Sequence, residues 1–220
     1  RFDSGPIQPL FLGKATAHID FVEAQRHLCR VDLQLRQVIK RFGACTLRLE
    51  KTHNTFAALA EAIIYQQLTG KAAAATLQRF KALYPRRRFP TPEDVQKTPV
   101  ALLRQAGLSN SKALALLDLS KNTLNGIVLS VARLQGLDDT QIIERLTKVR
   151  GVGRWTVEML LIFRLGRPDV LPVGDYGLRK AFALVYGHSD LPSPKDFAVY
   201  GERWKPFRTV AAWYLWKAID

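Results

Sequence analysis

Cysteine is nearly missing from this chain: Cys29 and Cys45 are the two among 220 residues. Two thiols cannot supply the four ligands of a cysteine-bound iron–sulfur cluster, and their spacing does not fit a zinc site. They read as buried free thiols in a reducing compartment, so an intracellular protein is expected. Acidic side chains are scarce as well, 19 Asp and Glu against 33 Lys and Arg, a formal charge of +14. Long hydrophobic runs are absent. Nothing approaches the ~18–20 apolar residues of a membrane-spanning helix, and the apolar stretch 159–163 reads as core. The four histidines, His18, His27, His53 and His188, are scattered with no carboxylate cluster beside them. Zinc-dependent or metal-assisted phosphoryl chemistry therefore finds no ligand set. Alternating strand patterns are missing, apart from one short candidate at 46–50. No secretory hydrophobic region is read, and the start at Arg1 rather than Met is read as a trimmed chain.

What is present is helical. Phe56, Leu59, Ala60, Ile63 and Ile64 follow the i, i+3, i+4, i+7 rule, and Leu178, Ala181, Phe182 and Val185 repeat it. Sharp stops separate such stretches, among them Tyr84-Pro85, Gly107, Gly136, Gly166-Arg167-Pro168 and Gly187. Asp138 with Gln141 has the form of a capping box, and Ser193-Pro194 that of an N-cap and first helical residue. The expectation is an all-α protein of nine or ten short helices, one domain built from two lobes. The basic excess points to a polyanionic partner, nucleic acid before membrane surface, although a merely basic background also fits.

Helices on either side of Val149-Arg150-Gly151-Val152-Gly153 give a helix, Gly-x-Gly turn, helix arrangement. The glycines permit a tight turn and close backbone approach. Unpaired N–H groups opening the second helix then favour a phosphate, with Arg154 adding a full charge. Taken alone, such a turn is equally a packing device.

Several motifs in order carry a resemblance. These are Ile63-Ile64-Tyr65-Gln66-Gln67-Leu68-Thr69-Gly70-Lys71-Ala72-Ala73, Gly107-Leu108-Ser109 with Lys112, and Val152-Gly153-Arg154-Trp155-Thr156. Further on come Val173-Gly174-Asp175-Tyr176 and Trp204-Lys205-Pro206-Phe207-Arg208 followed by Trp216. From Phe56 onward the chain resembles the helix-hairpin-helix (HhH-GPD) DNA glycosylase superfamily, in its 3-methyladenine DNA glycosylase II branch. It departs from the family pattern at Val149-Arg150, where Leu-Pro is usual. It departs again at Trp155, where lyase members carry a Schiff-base lysine; without that amine no imine and no β-elimination are expected.

The resemblance implies two helical subdomains, approximately 1–50 plus 167–220 and 51–166, with the hairpin at 147–155, an active-site cleft between them and no extra N-terminal β-domain. It implies Asp175 as the catalytic carboxylate, a residue that by itself reads as an ordinary N-cap. It implies a base pocket of Trp155, Tyr176 and Trp216 with Met159 nearby, where each ring also fits plain core packing; Trp204 and Trp213 are expected to be core. Gly151, Gly153, Arg154 and Arg208 would meet DNA, and Gln67 or Leu68 would fill the gap left by an extruded base. Backbone carbonyls of Thr147, Val149 and Val152 would hold a structural Na+ or K+, with no cofactor otherwise required. The implied activity is release of alkylated purines from double-stranded DNA by a monomer in base excision repair. Two other readings fit the residues: a glycosylase for uncharged bases such as hypoxanthine, ethenoadenine or uracil, and a non-catalytic duplex-binding module.

Overall fold

The computed structural model describes residues 19–50 and 54–220, and every regular element among them is a helix. His18, His53 and the first part of the 1–50 segment lie outside the described residues. Helix starts are set locally. Asp20 caps α1 (Phe21–Val31), Asp32 caps α2 (Leu33–Phe42) and Asn54 caps α3 (Thr55–Tyr65). After α4 (Gly70–Ala82), Thr91 and Asp94 close a capping box on α5 (Pro92–Gln96). The short α6 (Val100–Gln105) leads to α7 (Asn110–Leu124), capped by Ser109. The expected box of Asp138 and Gln141 opens α9 (Asp139–Leu146), just after α8 (Val131–Gln135). Next come α10 (Arg154–Phe163) and α11 (Tyr176–Tyr186), the latter stopped by left-handed Gly187. Ser193-Pro194 starts α12 (Pro194–Gly201) as expected, and a 3-10 turn at Glu202–Trp204 leads to α13 (Arg208–Lys217).

Thirteen α-helices among the described residues exceed the nine or ten expected. The surplus lies in α5, α6 and α8, each too short to show a full apolar period. The candidate strand at 46–50 is not formed. Cys45 and Leu47 are buried and Leu49 is exposed, and the segment has no strand partner among the described residues; Glu50 N–H donates instead to the Phe163 carbonyl at 2.8 Å.

Helices α1, α2, α11 and α13 pack on one another, while α3 packs on α4, α7 and α10, and α7 also holds α5 and α6. One continuous apolar core runs through both groups. Trp204 is fully buried in it, and Trp213 is partly buried at its edge. Burial pushes the Cys45 thiol up to about 11, which suits an inert core residue.

One buried carboxylate ties the first group together. Asp32 Oδ1 accepts the Leu35 N–H, and Oδ2 accepts Tyr186 Oη–H at 2.7 Å, Trp204 Nε1–H at 2.8 Å and Tyr200 Oη–H at 3.2 Å. Its donors come from α11, α12 and the turn after it, so one acceptor gathers distant elements around the foot of α11. No helix among the described residues is long and apolar enough to cross a membrane.

Candidate active site

The hairpin between α9 and α10 turns on Gly151, whose φ of +78° lies in the left-handed region that glycine enters freely. A Cβ at that position would stand 2.9 Å from the Ala115 Cβ. The turn is held from outside by Asp118, whose Oδ2 accepts the Arg150 N–H at 2.8 Å. Gly153 differs. It is the N-cap of α10 with an ordinary φ of −84°, and a Cβ there would meet nothing within 4 Å. No side chain caps α10, so its first N–H groups face outward from the open glycine, the arrangement that suits an anion.

Twenty residues beyond Trp155, Asp175 stands at the head of α11. A turn sets it there, Val173 N–H donating to Leu171 O and Asp175 N–H to Pro172 O. Its Oδ1 accepts the Leu178 N–H at 2.6 Å, completing the cap, and also Trp216 Nε1–H at 3.3 Å. Its Oδ2 accepts Trp155 Nε1–H at 2.6 Å. Three donors from three helices thus fix one half-buried carboxylate. The cap reading of Asp175 is met by Oδ1, and the same carboxylate holds the indole N–H groups of Trp155 and Trp216.

A cavity of about 370 Å³ opens between α3 and α10, lined by Tyr65, Ala62, Thr156, Met159 and Phe163 among others. Arg164, which pairs with Glu50 and Glu61, also lines it together with both carboxylates. Met159 lines this cavity, whereas Trp155, Tyr176 and Trp216, grouped with it in the implied base pocket, are not among its lining residues. Trp155 and Trp216 are drawn to the carboxylate, and Trp216 reaches the cavity through Phe163, stacked on it at 6.0 Å between centroids. Tyr176 is exposed beside Asp175. Tyr65 escaped the sequence reading. Its signal was its place: last in α3, off the apolar stripe, and next to the Gln66-Gln67-Leu68 turn.

Gln67 and Leu68 are exposed on that turn, and Gln67 adopts φ +55°, an uncommon conformation for a residue with a side chain. Arg208 is committed inside the chain. Its guanidinium grips Asp169 through Nε at 2.7 Å and Nη2 at 2.9 Å, a two-pronged pair that anchors the start of α13. No group of three or more His, Cys, Asp or Glu among the described residues could hold a metal ion.

The family model described as HhH-GPD superfamily base excision DNA repair protein matches residues 60–206, which contain the hairpin, Trp155 and Asp175. The chain belongs to this superfamily. DNA-3-methyladenine glycosylase 1 of Schizosaccharomyces pombe is 35% identical over 196 residues, 89% of this chain and 86% of that protein. The solved S. pombe 3-methyladenine DNA glycosylase in complex with abasic DNA superposes with a TM-score of 0.78, covering 89% of this chain and 95% of that one, at 35% identity. A DNA-3-methyladenine glycosidase structure from Bacillus halodurans gives 0.80 at 36% identity, covering 90% and 89%.

Within this HhH-GPD site one carboxyl was not foreseen. Glu158, one turn after Arg154, is 3% exposed, and its Oε1 accepts Arg154 Nε–H at 2.8 Å. Burial pushes its carboxyl above the usual range, Arg154 pulls it back, and the Asp175 charge adds to the rise. A carboxyl raised in the fold destabilises it as pH climbs past the unfolded-state value, because the unfolded chain ionises more readily. Arg154 is well exposed, so the pair itself offsets little. Glu158→Gln is therefore expected to gain thermal stability over the parent between pH 4 and pH 7, read as a widening melting-temperature difference. A constant difference across that range would contradict this account.

Proposed function

We propose that the protein is a monofunctional DNA glycosylase that extrudes alkylated purines, of the 3-methyladenine and 7-methylguanine type, from duplex DNA and hydrolyses their N-glycosyl bond. The observation that carries the proposal is the Trp155–Asp175 hydrogen bond, which couples the hairpin helix α10, one face of which lines the cavity through Thr156 and Met159, to the carboxylate loop. Its relatives named for 3-methyladenine support the same lesion class.

The chemistry asks little of the protein. A purine alkylated at N3 or N7 already bears a positive charge and departs as a neutral molecule, so no proton donor is required. Positive charge then develops on the deoxyribose as in other oxocarbenium-like states, and Asp175 supplies the opposing charge. Tyr65, Met159 and Phe163 offer soft, electron-rich surfaces to an electron-poor base. Uncharged bases would need an acid at the leaving group. Glu158 is a poor candidate, being buried and engaged with Arg154. Trp155 in place of a lysine leaves no amine for an imine, so the phosphodiester backbone stays intact.

The extruded base costs a few kcal/mol of lost stacking and pairing, offset by phosphate contacts at Gly151, Gly153 and Arg154 and by Gln67 or Leu68 entering the gap. No cofactor takes part. A structural Na+ or K+ suits the carbonyls of Thr147, Val149 and Val152, because hard cations take oxygen ligands and Val149 O carries one hydrogen bond, from Val152 N–H.

The test is a panel of duplexes, each with one defined lesion, analysed for freed bases and for strand breaks. Release of 3-methyladenine and 7-methylguanine without breakage is expected. Release confined to hypoxanthine, ethenoadenine or uracil would overturn the lesion class, and binding without any release would leave a duplex-binding module.

A further inference from the structure

Three elements meet at the turn that follows α3. Lys112, in the first turn of α7, sends its ammonium across to donate to the Ile64 carbonyl at 2.8 Å and the Gln66 carbonyl at 2.7 Å. Gln66 in turn donates through Nε2 to the Gly151 carbonyl at 2.9 Å. The next two residues, Gln67 in its left-handed conformation and exposed Leu68, project from this tie.

The arrangement is costly for a lysine. The side chain is half-buried, its ion pair with a carboxylate is lacking among the described residues, and burial pushes its ammonium below the usual lysine range. An ammonium set on two carbonyls at a helix C-terminus gains from the negative end of the helix dipole. An ordinary left-handed glycine cap would close the helix without burying charge. Closure alone therefore does not explain the lysine. Its bonds differ from such a cap in one respect: they span the end of α3, the start of α7 and, through Gln66, the hairpin.

We propose that Lys112 is a positioning residue for base extrusion, which holds the 66–68 turn at a fixed offset from the hairpin so that Gln67 and Leu68 enter the duplex in register with the phosphates gripped there. It touches neither the reacting sugar nor Asp175 and acts through the turn it clamps. A clamped turn meets the duplex already in its working shape, whereas a loose one must be ordered while the base pair is being broken. The inference rests on the reading of 66–68 as the element that replaces the extruded base.

That dependence supplies the test. Single-turnover release of 7-methylguanine is measured for the parent, Lys112→Met and Lys112→Gln, with the lesion opposite cytosine and opposite a reduced abasic site that offers no pairing partner. The ratio of the two rates within one preparation is independent of the folded fraction, so a purely stabilising role would not move it. Lys112→Met is expected to lower the paired rate about tenfold more than the unpaired rate, with Lys112→Gln, which keeps a neutral donor, in between. An unchanged ratio in both variants overturns the proposal. Gln67→Ala and Leu68→Ala are run alongside. A ratio that shifts in either of these but in neither Lys112 variant removes the role of Lys112 alone. No shift in any of the four removes the reading of the turn as well.

Discussion

Asp175→Asn is expected to slow single-turnover base release by about a thousandfold while leaving the melting temperature and lesion-DNA binding close to those of the parent. A carboxylate ~4 Å from a developing positive charge, at an effective dielectric of ~20, contributes roughly 4 kcal/mol. That corresponds to three powers of ten in rate. Asparagine keeps a side-chain oxygen for the Leu178 N–H and is itself a favoured N-cap. The fold should therefore survive, and the loss should appear in the chemical step. Bound lesion DNA with near-parental release would show that the anion is only a helix cap. The substitution separates the helix cap seen in the structure from the catalytic role proposed for the same residue.

Asp32→Ala is expected to be the most damaging change to stability. Removing the carboxylate leaves Tyr186 Oη–H, Trp204 Nε1–H and the α2 cap without their acceptor in a buried setting, with Tyr200 losing a longer bond. Each unsatisfied buried donor costs about 1–3 kcal/mol and a lost cap about 1. Allowing for partial relaxation, about 4 kcal/mol is expected. At ~2–4 °C per kcal/mol for a chain of this size, the melting temperature should fall by about 10 °C. Asp32→Asn keeps an acceptor and should lose much less. Thermal unfolding of the two variants decides it, and equal melting temperatures for parent and Asp32→Ala would sink the account. The change also bears on the site, because Tyr186 ends the helix whose head is capped by Asp175.

What could be read in the sequence and what could not divides by distance along the chain. The box at Asp138, the caps at Ser193 and Asp175 and the hairpin at Gly151 all depend on residues within about one helical turn, and such patterns are written side by side. The Asp32 network joins residues 154 to 172 positions apart, and nothing local marks an aspartate as the acceptor for three distant rings. Arg208 illustrates the same gap. The family resemblance implied a contact with DNA, while its partner Asp169 lies 39 residues away. The 46–50 segment has the alternation of a strand, yet only Leu47 of its two leucines faces the core; a strand also needs a neighbour, which no alternation can announce. Glu158 was hidden for the opposite reason. A glutamate four residues after an arginine normally marks a solvated helix face, and only packing reveals that this one lies inside.

The two glycines of the hairpin answer to different masters. At position 151 the chain's own backbone and the Ala115 methyl forbid anything larger, whatever the protein is used for. At position 153 nothing in the chain objects to a side chain; only an object arriving from outside would. A descendant that gave up handling nucleic acid would drift at the second position while keeping the first, so the pair serves as a gauge of whether a related sequence still follows the ancestral trade.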